Sequence, residues 1–146
     1  DLNTAADLLK ENKIQEAEEK FQHYISTLET QDKKTKAHLQ IAQAYNTNLL
    51  FNLSISYAHQ GIDLDPKSSY LKKELLQVIC INHLDLKNYK LAAEYYHKSV
   101  AKNKRSITAN DYNILGEILR MKGNYSQSCI EFHKAIELNT NEKNNN

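Results

Sequence analysis

DYNILGEILRMKGNYSQSCIEFHKAIEL, residues 111–138, is the stretch from which the rest of the chain can be read. On a helix of about 3.6 residues per turn its first half places Tyr112, Leu115, Ile118 and Leu119 on one side, and its second half does the same with Tyr125, Cys129, Phe132 and Ile136. Between the halves, Lys122-Gly123-Asn124 is a helix stop: a cation in the last turn, then a glycine free to take the left-handed conformation that closes a helix C-terminus. Gly116 lies inside the first helix, where it costs about 1 kcal/mol against alanine, so its use is to let the partner helix approach closely. Small Ser128 and Ala135 flank Phe132 on the second helix. The stretch is a helical hairpin built for close packing.

The whole chain has 146 residues, 40% apolar and 25% charged, with a net charge of +1, which describes a soluble domain of ordinary size and points to neither nucleic acid nor membrane. It has no apolar run of about 18 residues, so no transmembrane helix is expected. With one proline and three glycines, helices meet few interruptions, and no alternating run argues for a strand. The chain reads as all-α. Its two cysteines, Cys80 and Cys129, fall in helices and are too few for a structural zinc site. Both are expected to be buried as small hydrophobes. Because the first residue is Asp rather than Met, the chain reads as a piece of a longer protein whose targeting segments lie out of view; a cytoplasmic location is favoured, and export stays open.

The hairpin resembles the tetratricopeptide repeat. That family's unit of about 34 residues carries an aromatic, leucine-glycine and a large apolar residue on its first helix, then tyrosine, alanine, phenylalanine and alanine on its second. Those places here read Tyr112, Leu115-Gly116, Leu119, Tyr125, Ser128, Phe132 and Ala135, and Thr140 replaces the usual closing proline. Three weaker copies stand in register. The first carries Leu8, Asn12, Ile14, Ala17, Phe21 and Leu28, with a short first helix, as if the chain began inside a repeat. A second carries Ile41-Ala42, Tyr45, Phe51, Ser54, Ala58, Gly61 and Asp65-Pro66; its turn, Asn46-Thr47-Asn48, has no glycine, and Tyr57 is placed to fill the space beside Ala58. The third carries Leu76, Ile79-Cys80, His83, Tyr89, Ala92, Tyr96 and Ser99, with Cys80 in the place of Gly116.

Ile14, Phe51, Tyr89 and Tyr125, which open the second helices, are 37, 38 and 36 residues apart by subtraction. The extra length falls in helix ends or in loops at residues 31–34 and 103–106. Repeats are therefore placed at about residues 1–30, 35–68, 70–105 and 109–140, with residues 141–146 expected to be a disordered tail or linker. The resemblance implies a right-handed α-α superhelix of about three and a half hairpins. No polar capping helix closes it, so Ile130 and Ile136 face a further segment, a second copy of the chain, or water.

Chemistry is marked mainly by absence. No Gly-rich phosphate loop, His-Glu-x-x-His, Cys-x-x-Cys or Gly-x-Ser-x-Gly is present, no nucleophile and base can be placed together, and neither catalysis, metal nor cofactor is expected. His59, His97 and His133 recur at equivalent positions. Neighbouring helix axes lie at least about 8 Å apart, whereas nitrogens sharing a zinc lie within about 4 Å, so the column reads as surface histidines. Lys102 to Arg105, KNKR, reads as a solvated turn.

In such an architecture the first helices line a concave face that receives peptides or helices. One subset of the family grips a C-terminal carboxylate with lysine, asparagine and arginine at fixed places; the corresponding places here, Leu39, Gln43, Val78, Asn110 and Ile114, lack the basic residues. The expected groove is instead Leu39, Gln43, Asn46, Gln77, Ile81, Leu84, Asn113, Glu117 and Arg120, with amides to meet a peptide backbone and Ile81 and Leu84 as an apolar pocket. The sequence thus reads as a non-catalytic module binding a protein or peptide, with self-association through the uncapped terminal helix as a further contact. The alternative is a ligand- or peptide-sensing, dimerising domain similar to the repeat halves of bacterial transcription regulators.

Overall fold

In the computed structural model, which describes residues 1–100 and 107–145, eight helices and no strand occur among the described residues. They are α1 (Leu2–Lys10), α2 (Ile14–Ser26), α3 (Gln31–Thr47), α4 (Phe51–Asp63), α5 (Ser69–Asp85), α6 (Tyr89–Val100), α7 (Ala109–Met121) and α8 (Tyr125–Asn144). Consecutive pairs form four antiparallel hairpins, each helix packing more densely against its hairpin partner than against any other helix. The helix that opens each hairpin starts at a side-chain cap: Asp1, Thr30, Ser68 and Thr108 each accept from backbone N–H groups that would otherwise lack partners. The short turn inside each hairpin supplies the second helix with its start.

Those turns share one geometry. Asn12, Leu49, Lys87 and Gly123 have φ of 61°, 63°, 65° and 86°, all in the left-handed region. In each, the left-handed residue donates its N–H three residues back and the next residue donates five back, as in Lys13 to Leu8 (2.9 Å), Leu50 to Tyr45 (2.9 Å), Asn88 to His83 (2.8 Å) and Asn124 to Leu119 (2.9 Å). This is the Schellman closure. Only the last turn uses glycine; Asn12 is a residue type that tolerates the left-handed region, whereas Leu49 and Lys87 hold it at a steric cost.

Close approach within the hairpins depends on small residues at matched heights. Ala5 and Ala17, Ala42 and Ser54, Cys80 and Ala92, and Gly116 and Ser128 are all buried. In three hairpins a polar member bridges the gap: Ser54 Oγ donates to the Ala42 carbonyl (2.6 Å), Cys80 Sγ to Ala92 (3.2 Å) and Ser128 Oγ to Gly116 (2.8 Å). A Cβ at Gly116 would come within 2.6 Å of the Phe132 ring, so the glycine does provide the room expected of it.

Hairpins contact their sequence neighbours through α1·α3, α2·α3, α4·α5, α3·α5 and α6·α7. One core runs from Ala5 and Phe21 through Ile41, Tyr45 and Tyr57 to Leu75, Val78 and Ile79; a second gathers Cys80, Leu84, Ala92, Tyr96, Ile114 and Ile118. Tyr57 is buried as expected, with its ring 5.3 Å from that of Tyr45, which in turn meets Phe21 edge-on at 5.5 Å. Burial pushes the Tyr57 phenol up to about 12.

Several expectations are corrected. The buried side of α8 is Ser128, Glu131 and Ala135, and the side expected to face inward carries exposed Tyr125, Cys129 and Ile136, with Phe132 half-buried. Ile130 is also exposed. On α7 the buried side is Asp111, Ile114 and Ile118, with Tyr112, Leu115 and Leu119 half-buried. The cause is position: small residues take the crossing, and α8 has no later helix among the described residues to cover its apolar stripe. Cys129 is therefore exposed rather than buried, while Cys80 is buried and its thiol pushed up to about 12 by burial. The expected tail is helical through Asn144, because no glycine or proline after Gly123 interrupts a helix that gains one hydrogen bond per added residue. Residues 31–34 form the first turn of α3, so extra repeat length there lengthens a helix. Residues 103–106 and the KNKR segment lie outside the described residues.

Candidate functional site

The nine expected groove residues occupy three equivalent levels on α3, α5 and α7, and the structure divides them. Ile81 and Leu84 from α5 join Asn113, Glu117 and Arg120 from α7 around a cleft of about 380 Å³. Asp85, Lys87, Ile114 and Met121 complete it. Leu84 and Ile114 are buried, and Ile81 and Met121 half-buried, so the floor is aliphatic and the rim charged. On the rim, Arg120 Nη2 and Nε donate to Glu117 Oε2 at 2.8 and 3.2 Å. That bond and the carboxylate's charge raise the guanidinium pKa further. The pair is exposed and one helical turn apart, so it orients the two side chains more than it stabilises the fold.

The other four residues have different surroundings. Leu39 is buried in the first core and unavailable to a guest, while Gln43 is exposed on α3. Asn46 begins a polar ladder: its Nδ2 donates to Asn82 Oδ1 (2.9 Å) and Asp85 Oδ2 (3.2 Å). Asn82, fully buried, donates in turn to Ser54 Oγ (2.8 Å) and to the Val78 carbonyl (2.9 Å). Asn46 thus positions Asp85 at the cleft rim.

Gln77 is buried and bound to Asp111, Nε2 to Oδ1 at 2.6 Å. Asp111 Oδ2 also accepts from Lys73 Nζ (2.7 Å), the Thr108 N–H (2.8 Å) and Thr108 Oγ1 (3.0 Å). With no exposed surface and four donors around it, this carboxylate fastens the start of α7 to the side of α5. Gln77 is therefore a structural residue. A hollow of about 690 Å³ at the opposite end of α5, walled by Pro66, Tyr70, Leu76 and Asn110, contains Gln77 alone of the nine.

The histidines are not brought together as a column. His59 meets the Tyr95 ring edge-on at 5.8 Å, His97 lies against Tyr96 at 5.4 Å, and His133 is exposed. Tyr95 instead stacks on His83 at 5.6 Å and carries Lys98 Nζ 4.5 Å above its ring. Burial, then the neighbouring His59, lowers the His83 pKa below 6.5. Among the described residues no group of three His, Cys, Asp or Glu side chains is placed to hold a metal, and no helix is long and apolar enough to cross a membrane.

No protein-family model and no curated protein matches this chain. The resemblance to tetratricopeptide repeats thus rests on the residues of the chain itself. Sequence reasoning missed Ile114 and Met121 as part of the cleft. Their seven-residue spacing on α7 was the available signal, since it puts them on one side of the helix.

Proposed function

We propose that this chain is a non-catalytic interaction module, a superhelix of hairpins similar to tetratricopeptide repeats, whose α5–α7 cleft receives an apolar side chain from a partner peptide. The observation that supports this is the convergence of Ile81, Leu84, Ile114 and Met121 into an aliphatic floor, ringed by Asp85, Lys87, Asn113, Glu117 and Arg120. An apolar pocket with a few convergent polar groups is the usual form of a recognition site. Withdrawing one aliphatic or aromatic side chain from water there supplies affinity, while the amide and charged rim fixes the orientation of the backbone beside it.

The test is selection from a displayed random-peptide library on the immobilised chain, followed by anisotropy titrations of the enriched peptides. Recovered sequences share an apolar anchor, and Ile81→Gln with Met121→Gln weakens them by about tenfold or more. The far-UV circular dichroism melt stays within a few degrees of the parent, since both side chains are half-exposed. Peptides that bind the double variant as well as the parent would place recognition elsewhere.

A further inference from the structure

Three of the six large hydrophobic side chains exposed among the described residues belong to α8: Tyr125 (67% exposed), Ile130 (48%) and Ile136 (59%). Tyr125 and Ile136 stand in line with exposed Cys129 and with Phe132, which is half-buried because its ring lies against Gly116 of α7. Steps of four, three and four residues connect Tyr125, Cys129, Phe132 and Ile136, the spacing of a seam that receives another helix. The repeat itself shows such a seam closed. Thirty-six residues earlier, Tyr89, Ala93, Tyr96 and Val100 hold the same places on α6, and all four pack into the second core, to which α7 contributes Ile114 and Ile118.

We infer that α8 pairs with α8 of a second copy of this chain, antiparallel about a two-fold axis. The seam is self-matching in that arrangement: Tyr125 meets Ile136 of the second copy, and Cys129 meets the exposed edge of Phe132, on both sides of the axis. Ser126, His133 and Thr140, which flank the seam on one side, carry no carboxylate or ammonium that pairing would desolvate. A head-to-tail stack is disfavoured because α1 and α2 present no large exposed hydrophobic side chain for the seam to cover. The surface is separate from the α5–α7 cleft, so two clefts are carried by one dimer.

Sedimentation equilibrium at about pH 7.5, from micromolar to about 1 mM chain, tests this. The expected result is a single limiting mass twice the 16.9 kDa of the chain. Tyr125→Glu with Ile136→Glu raises the dimer Kd by about tenfold or more, because each substitution enters the interface twice. Tyr70→Glu, at an exposed tyrosine on α5, leaves it unchanged. A second variant reads the geometry directly: with Cys129→Ser, the pair Tyr125→Cys and Ile136→Cys forms disulfide-linked dimers on mild oxidation, whereas either cysteine alone does not. A monomer throughout the range, a dimer indifferent to the glutamates, dissociation by Tyr70→Glu, growth beyond the dimer, or absence of the paired disulfide would each overturn the inference.

Discussion

Replacing Asp111 by alanine should loosen the fourth hairpin from the third. The carboxylate is fully buried and takes four donors, two from Thr108 at the cap of α7 and two from Lys73 and Gln77 on α5. Losing a capping acceptor costs about 1 kcal/mol. Leaving the buried Gln77 amide without its acceptor adds about 1 to 3 kcal/mol. Taking the carboxylate away from the Lys73 ammonium adds less than it would in a sealed site, because the lysine side chain keeps a fifth of its surface exposed. These contributions overlap, and truncating one partner of a buried pair costs about 3 to 5 kcal/mol. The partly wet lysine puts Asp111→Ala near the lower limit, about 3 kcal/mol. For a chain of this size that lowers the melting temperature by about 6 to 12 °C. Urea denaturation followed by circular dichroism gives the energy, and amide exchange gives its location, since protection should fall in α7 and α8 more than in α1 to α3. A loss below about 1 kcal/mol, or a loss of protection spread evenly over all the hairpins, would refute the role assigned to this carboxylate.

The turns offer a test with two signs. A Cβ at Gly123 meets nothing within 4 Å, so Gly123→Ala feels only the left-handed backbone and should cost about 1 kcal/mol, while Lys87→Gly at the equivalent place should stabilise by up to about that amount; equal signs in urea titrations would contradict the shared geometry. Acid should weaken the fold through His83. Its folded pKa lies below 6.5, so the unfolded chain takes up the proton first, and the stability it confers is whole above about pH 6.5 and declines as pH falls through that value toward the folded pKa. The proton would have to be held beside His59, in a site where Nδ1 is buried without a hydrogen-bond partner. Urea midpoints at about pH 7.5 and 5.5 should therefore differ for the parent and differ less for His83→Gln; an identical pH dependence in the two would refute this.

The hairpin pattern was legible because its punctuation is local. Lys122-Gly123-Asn124 announces a left-handed stop, and register from it reaches Asn12 and Lys87; in the second hairpin the turn expected at Asn46-Thr47-Asn48 lies later, with α3 running through Thr47 and Leu49 taking the left-handed place. Apolar spacing alone does not fix the phase of α8: Phe132 lays its ring on Gly116 of the hairpin partner, but Tyr125, Cys129 and Ile136 stay exposed rather than facing it. At the crossing that place belongs to Ser128 and Ala135, and Tyr125 and Ile136 point to where a neighbouring helix would lie. Half of the cleft was visible as equivalent positions on α5 and α7. Gln77 was not separable from it, because an amide suits a groove and a buried bond equally; Thr108-x-x-Asp111 was the sign that a carboxylate waited there.

α5 supplies Leu75, Val78 and Ile79 to the first core and Cys80 and Leu84 to the second. It is a shared wall between two rooms. Severing the chain at Pro66 would take three buried side chains from the N-terminal half and leave Tyr45 and Tyr57 without part of their enclosure, so the smallest N-terminal fragment able to keep its interior dry must run through Asp85. The repeats are alike in outline, yet they do not come apart as interchangeable parts.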